Sequence, residues 1–276
     1  MIDARAALDA IGQLADGEID IADAALQLAR IDAPDADWQA ARQHLSQLAR
    51  EAVAASADIA PDDLAGQAVA LALLLGERHG YAGDSETYDD PANANLIAVI
   101  ARRRGLPVAL GVLWLHTARA AGWEAHGVDF PSHFLVGLEG PAGKIVLDVF
   151  AGGTALEARD LRALLKRVEG NPKVELRPGL LAPMGTRAVL LRLQNNIKSR
   201  RLSAGDLVGA LACAEDMLRI APDHATLWRE TALMNQRLDR VSAALRCFET
   251  FLKLVPQGDA ALRVRTAVDE LRARLN

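Results

Sequence analysis

Ala210, Leu211, Leu218 and Pro222 recur 34 residues later as Ala244, Leu245, Leu252 and Pro256. The same shift takes Cys213 to Cys247 and Ala214 to Phe248. A unit of this length holds two helices and their turns. It cannot bury its apolar face by itself and must stack on a neighbour. Residues from Arg187 onward are therefore expected to be all-helical and layered. The last segment fits the end of such a stack. Val264, Val268, Leu271 and Leu275 share one helical face, while Arg263, Asp269, Glu270 and Arg272 lie off it. A capping helix needs one buried and one solvated face.

The rest of the chain does not repeat, and its pattern changes partway. Over residues 1–80 the apolar positions keep helical spacing. Ala7, Ile11 and Leu14 form one series, Ile21, Ala24, Ala25 and Leu28 a second, and Trp38, Ala41, Leu45 and Leu48 a third, with Asp35 as its expected cap. Pro61-Asp62-Asp63 is expected to open a helix carrying Leu64, Val69, Leu71 and Leu74 and ending near Gly80. Tyr81 to Pro91 is polar and reads as a loop. A helix from about Asn93 to Arg104, closed by Gly105, precedes another from Pro107 to Ala121. After Gly122 the pattern becomes that of strands: Trp123–Phe130, His133–Leu138 and Ile145–Val149, the last two joined by Gly140-Pro141-Ala142-Gly143. Asn171-Pro172 and Arg177-Pro178-Gly179 mark a loop. The expected fold class is α+β. A helical N-terminal region and a core with a small antiparallel sheet occupy residues 1–180, and an all-α region of helical hairpins occupies 187–276.

With 276 residues, 51% hydrophobic and 24% charged, the chain can bury a real core. Its net charge is -5 and no long basic block occurs, so no nucleic-acid partner is expected. The longest apolar run, Ala68 to Leu75, is far short of a membrane span, so no membrane partner is expected. Met1-Ile2-Asp3-Ala4-Arg5 lacks a basic segment followed by an apolar one, and no secretory signal is expected. Two cysteines make no disulfide framework, and no Cys/His spacing suggests zinc. A reducing, cytoplasmic location follows as the expectation. No phosphate loop or dinucleotide fingerprint occurs, so no cofactor and no metal are implied.

One constellation could carry chemistry. A hairpin centred at 141–142 puts Asp148 opposite Leu135, with His133 in diagonal reach on the same face. A carboxylate beside an imidazole fixes its tautomer and raises its basicity, which suits a general base. The order of helix, strand with His and strand with Asp is similar to that of transglutaminase-like cysteine enzymes. There the cysteine begins the helix, where the dipole lowers its pKa. The matching position here is near Pro107-Val108, and no Cys, Ser or Thr occurs between Thr87 and Thr117.

Tyr88-Asp89-Asp90-Pro91-Ala92-Asn93, Arg104-Gly105-Leu106-Pro107, Phe130-Pro131-Ser132-His133-Phe134-Leu135 and Leu147-Asp148-Val149-Phe150-Ala151-Gly152-Gly153 together resemble the bacterial SirB-type proteins. The resemblance runs from about residue 30 to the C-terminus. It implies a degenerate transglutaminase-like domain followed by tetratricopeptide repeats. Ala94 stands where that family often has Ser. In the second repeat Trp228, Ala244, Phe248 and Pro256 match the usual Trp, Ala, Phe and Pro positions. Thr231, Ala232 and Asn235 depart from its Leu-Gly and Tyr positions. The first repeat keeps Ala210 and Pro222.

Two functional readings follow. In the first the chain is a non-catalytic binding or scaffold protein, with an unknown protein or peptide partner held by the repeat region. In the second it is a hydrolase or lyase-like enzyme with His133 as general base, oriented by Asp148. Asp90, Asn93 and Trp228 are the candidate binding residues. Asp90 and Asn93 could line the cleft of His133, or serve only as helix-cap residues; Trp228 marks a repeat-packing position. Arg102-Arg103-Arg104 could hold an anion, or complement the last turn of their helix. His116 and His126 show no metal-ligand spacing with carboxylates.

Overall fold

Short acidic and amide side chains begin many of the helices, accepting backbone N–H groups that helix geometry leaves unpaired. The computed structural model describes residues 3–141, 143–177 and 179–274, so Ala142, Pro178 and Leu275 lie outside the described residues. The first helix, α1 (Ala4–Ile11), is capped by Asp3. Asp20 caps α2 (Ile21–Asp32), Asp37 caps α3 (Trp38–Ser56) and Asp63 caps α4 (Leu64–Leu71). Asp37, not Asp35, starts α3, because its carboxylate reaches the Ala40 amide three residues ahead. Helix α4 runs on into a π-helical turn, Ala72–Arg78.

The next segment differs from expectation. Residues 91–94 form a short 3-10 turn capped by Asp90, and Asn95 then caps α5 (Leu96–Arg102). Arg103, with φ of 58°, ends α5 in the left-handed region. Gly105 lies beyond that end, in a two-residue strand. A parallel pairing joins β1 (Ala82–Gly83) to β2 (Arg104–Gly105), so the loop after Tyr81 is anchored rather than free.

Helix α6 (Pro107–Ala120) begins with proline at its first turn, and Val108–Leu115, Thr117 and Ala118 are all buried. A helix apolar all round belongs in the middle of a core. It packs against α2, α3, β3 (Glu124–Phe130) and β4 (His133–Gly140). The sheet continues with β5 (Gly143–Asp148), β6 (Thr154–Leu156), α7 (Ala158–Glu169) and β7 (Pro183–Met184). Its order is β6-β5-β4-β3-β7, antiparallel throughout. Gly140 pairs with Gly143 and Val136 with Leu147, which is the register expected for a turn centred at 141–142. On one face, Leu161 and Leu165 of α7 join Val128, Phe130, Leu135 and Val146. On the other, the Phe134 ring lies against Gly111 of α6.

These elements form one compact unit, Leu14–Leu193. The other unit combines the residues up to Gln13 with those from Gln194 on. Its helices are α1, the end of α8 (Thr186–Ser203), α9 (Leu207–Ile220), α10 (Ala225–Arg237), α11 (Val241–Leu254) and α12 (Asp259–Ala273). Ala232, Ala244, Phe248, Phe251, Val264, Val268 and Leu271 make its core. Thus α1 lies with the repeats, and the larger unit extends to Leu193. Leu8 of α1 is fully buried, and α1 pairs with α9 through Arg5–Asp216 at 2.9 Å and Asp9–Arg219 at 2.8 Å. An eight-residue amphipathic helix shows which face it buries, not which surface receives it.

A Cβ added to Gly111 would stand 2.1 Å from Cε1 of Phe134. Ala is normally better than Gly inside a helix, by about 1 kcal/mol. Here Gly111→Ala is expected to lower stability instead, by about 1–3 kcal/mol from overpacking. The urea midpoint of the variant measures it.

Candidate functional site

His133 opens β4 directly after Ser132, whose φ of 57° makes the tight reversal from β3. The imidazole is half-buried. Its Nδ1 lies 3.1 Å from the Pro131 carbonyl, which can only accept. That nitrogen therefore carries the proton in the neutral ring, and Nε2 keeps the lone pair. The His133 carbonyl accepts from Arg192 at 3.0 Å. Arg192 is also paired with Asp129 and lies 5.7 Å from the centre of the Phe134 ring. Burial pushes the Arg192 guanidinium below its ordinary value.

Asp148 ends β5 in the expected register, but its carboxylate turns to the backbone. Oδ1 accepts from the Phe150 amide at 3.0 Å and the Ala151 amide at 3.2 Å. This is the local hydrogen bonding by which aspartate shapes a turn. No hydrogen bond or ion pair joins His133 to Asp148 among the described residues. At the start of α6, where a nucleophile would stand, Leu106, Val108 and Ala109 are buried, and the Leu106 amide donates to the Asn93 carbonyl at 2.9 Å.

Asp90 and Asn93 belong to a neighbouring polar knot. Asp90 accepts from the Ala92 amide and pairs with Arg102 at 2.9 Å. Arg102 also reaches Asp84, 3.1 Å away. Asp84 accepts from the Thr87 hydroxyl at 2.6 Å and the Thr87 amide at 2.8 Å, and those bonds hold its carboxyl down at about 2. Asn93 is fully buried and donates to the Thr87 carbonyl at 2.7 Å. Arg102 thus holds the carboxylates of its own loop. The Gly83 amide donates to the Phe150 carbonyl at 3.2 Å, which brings this loop against the turn of Asp148.

A second cluster has no motif in the sequence. The Arg103 guanidinium lies over the Tyr81 ring, bonds the Tyr81 hydroxyl and sits 2.6 Å from Nε2 of His44. His44 meets His79 edge-on at 5.2 Å, and His79 bonds Glu51 at 2.7 Å. Burial, then the charges of Arg103 and His79, push His44 down to about 4. Burial pushes Tyr81 up to about 12, and the His79 bond holds Glu51 below the usual carboxylate range. These groups come from distant segments, and no spacing in the sequence brings them together. His116 lies 3.0 Å from the Leu45 carbonyl and His126 lies 3.7 Å from Glu139. Among the described residues no group of three or more His, Cys, Asp or Glu could hold a metal ion. Nor is any helix there long and apolar enough to cross a membrane.

The repeat unit carries a groove of about 850 Å³ lined by Asp9, Arg219, Trp228, Thr231, Asn235 and Cys247, among others. Trp228 is half-buried and donates its indole N–H to the Pro222 carbonyl at 2.6 Å, tying one repeat to the next. Burial pushes the Cys247 thiol up to about 11, so it stays protonated and unreactive at neutral pH.

Comparison with known proteins agrees with this architecture. Residues 39–195 match the transglutaminase-like superfamily, and residues 197–269 match the tetratricopeptide repeat. A UPF0162 protein of Xylella fastidiosa is 33% identical over 189 residues, covering 68% of this chain and 67% of that one. A UPF0162 protein of Vibrio cholerae is 28% identical over 254 residues, covering 92% of this chain and 93% of that one. Human F-box only protein 21 is 27% identical over 138 residues, covering 47% of this chain and 21% of that one. A transglutaminase-like domain followed by repeats, with bacterial UPF0162 homologues, accords with the SirB-type resemblance.

The low His44 value sets a pH dependence. In the folded protein His44 stays neutral down to about 4, whereas its ordinary value is 6.5. Between these values the unfolded chain binds the extra proton, so this contribution is intact above 6.5 and declines as pH falls toward 4. Urea midpoints at pH 7 and pH 5 are expected to differ less in His44→Gln than in the wild type.

Proposed function

This chain belongs to the transglutaminase-like superfamily, and we propose that it is a non-catalytic binding or scaffold protein of the cytoplasm. In this reading the transglutaminase-like domain is a pseudoenzyme, and the repeat region holds a protein or peptide partner. One observation carries the reading. The Asp148 carboxylate accepts from the Phe150 and Ala151 amides and makes no hydrogen bond to His133. Without an orienting carboxylate, the His133 ring takes its tautomer from the Pro131 carbonyl alone. The start of α6 supports the same conclusion. Pro107, buried Val108 and buried Ala109 supply no nucleophile, and both cysteines are buried in the repeat unit.

The purified protein is expected to show no amidase, transamidase or esterase turnover above that of His133→Ala. The assay uses a glutamine-containing peptide with an amine acceptor, and a small activated ester. General-base catalysis contributes about 10²–10⁴ in rate. Turnover that drops by that factor in His133→Ala would overturn the proposal and favour the hydrolase or lyase-like reading.

A further inference from the structure

We propose that the groove of the repeat unit binds a short dipolar ligand, its ammonium on Glu215, its carboxylate on Arg246 and an N–H on Asn235. The inference rests on the reading of that region as a binding surface, and it names the chemistry of the occupant.

Two packing positions that line the groove are filled unusually. Thr231 and Asn235 occupy positions where a tetratricopeptide unit resembling this one carries Leu and Tyr. Short polar side chains there stand in place of an isobutyl group and a phenol ring. Asn235 is 1% exposed, and its Nδ2 donates to the Thr231 carbonyl at 3.0 Å. A carbonyl only accepts, so the amide cannot be turned round. Oδ1 is left as a buried acceptor with no partner among the described residues. Such an acceptor is costly in a packed core and useful in a binding site.

The rim supplies charge. Glu215 projects from α9 and Arg246 from α11; both are exposed and both line the groove. Among the described residues neither makes an ion pair, and they do not pair with each other; the Glu215 charge acts at longer range on Arg5, whose guanidinium is held by Asp216. The other guanidinium of the groove, Arg219, is already held by Asp9 at 2.8 Å. Two opposite charges, the Asn235 amide and Leu218 therefore line one opening. The complement is a molecule with a positive and a negative end and an amide N–H between. The volume of about 850 Å³ lies within the range of small-ligand sites and suits a dipeptide better than a single amino acid. The same chemistry is offered by a free dipeptide, or by a protein segment carrying basic and acidic side chains.

Isothermal titration calorimetry of the full chain tests this with three probes: leucyl-leucine, its N-acetylated and C-amidated form, and a capped Lys-Leu-Glu tripeptide. The expected result is saturable 1:1 binding of leucyl-leucine, weakened about tenfold or more by blocking both ends. Glu215→Gln and Arg246→Gln, at exposed positions that leave the core intact, each weaken it about tenfold. Asn235→Leu restores an apolar filling and is expected to abolish binding while the melting temperature holds or rises. Tighter binding of the capped tripeptide, lost in the same variants, supports the chemistry and assigns its source to a protein segment. The proposal is overturned if no probe gives saturable heat up to roughly 10 mM. It also fails if the blocked dipeptide binds as well as the free one, or if both charge variants bind like the wild type. None of these outcomes depends on His133, so failure here is distinct from a turnover that overturns the proposed function.

Discussion

Helix α6 has no solvated stripe, and the larger unit is arranged to cover it. Helices α2 and α3 and strands β3 and β4 all pack against it. The covering layers approach closely only because glycine stands at the contacts. Gly111 admits the Phe134 ring, and Gly153, at φ of +85°, lies against the Trp114 indole. An element buried on every side stabilises a fold by apolar transfer and dispersion together, and it tolerates little change of volume. The start of this helix is where the family's enzymes place their nucleophile. In this chain Leu106, Val108 and Ala109 are buried there.

The polar groups of the unit organise loops. Arg102 draws Asp84 and Asp90 together, Thr87 satisfies Asp84, and the parallel pairing of β1 with β2 holds the loop against the backbone of Phe150. Asp148 does the corresponding work for the turn after β5. Asp90 and Asp148 thus each hold a local turn. The cluster of His44, His79, Tyr81, Arg103 and Glu51 has a different character. Its rings and guanidinium are crowded into a partly dry site, where burial disfavours a further positive charge on His44.

In the repeat unit the balance between packing and binding is struck otherwise. Ala244, Phe248 and Phe251 on α11 and Val264, Val268 and Leu271 on α12 build an ordinary stacked core. At the face where α9, α10 and α11 meet, Thr231 and Asn235 give up apolar filling for polar atoms. Helix α1 completes that face. Its Leu8 and Ile11 are buried, and Gly12 allows close approach to the Arg219 carbonyl, which a Cβ would meet at 2.1 Å.

Periodicity alone determined a good deal. The 34-residue recurrence announced stacked hairpins, and the switch from helical to strand spacing after Gly122 announced a sheet. Gly140 and Gly143 set a hairpin register that the structure keeps. These features were legible because each is local: a helix face, a strand alternation and a turn depend on neighbours in sequence. The contacts of the candidate site were not legible for the opposite reason. Whether Asp148 bonds an imidazole on the next strand or two amides just ahead in the chain is a competition between a long-range partner and local ones. Register shows only that the first is within reach. Asp35 and Asp37 both precede the same apolar series, so spacing alone does not show that Asp37 is the cap. The docking of α1 on α9, and the meeting of His44, His79, Tyr81 and Arg103, were decided only by the tertiary structure. Surfaces distant in the chain find each other through shape and buried area, quantities that no spacing of residue types records.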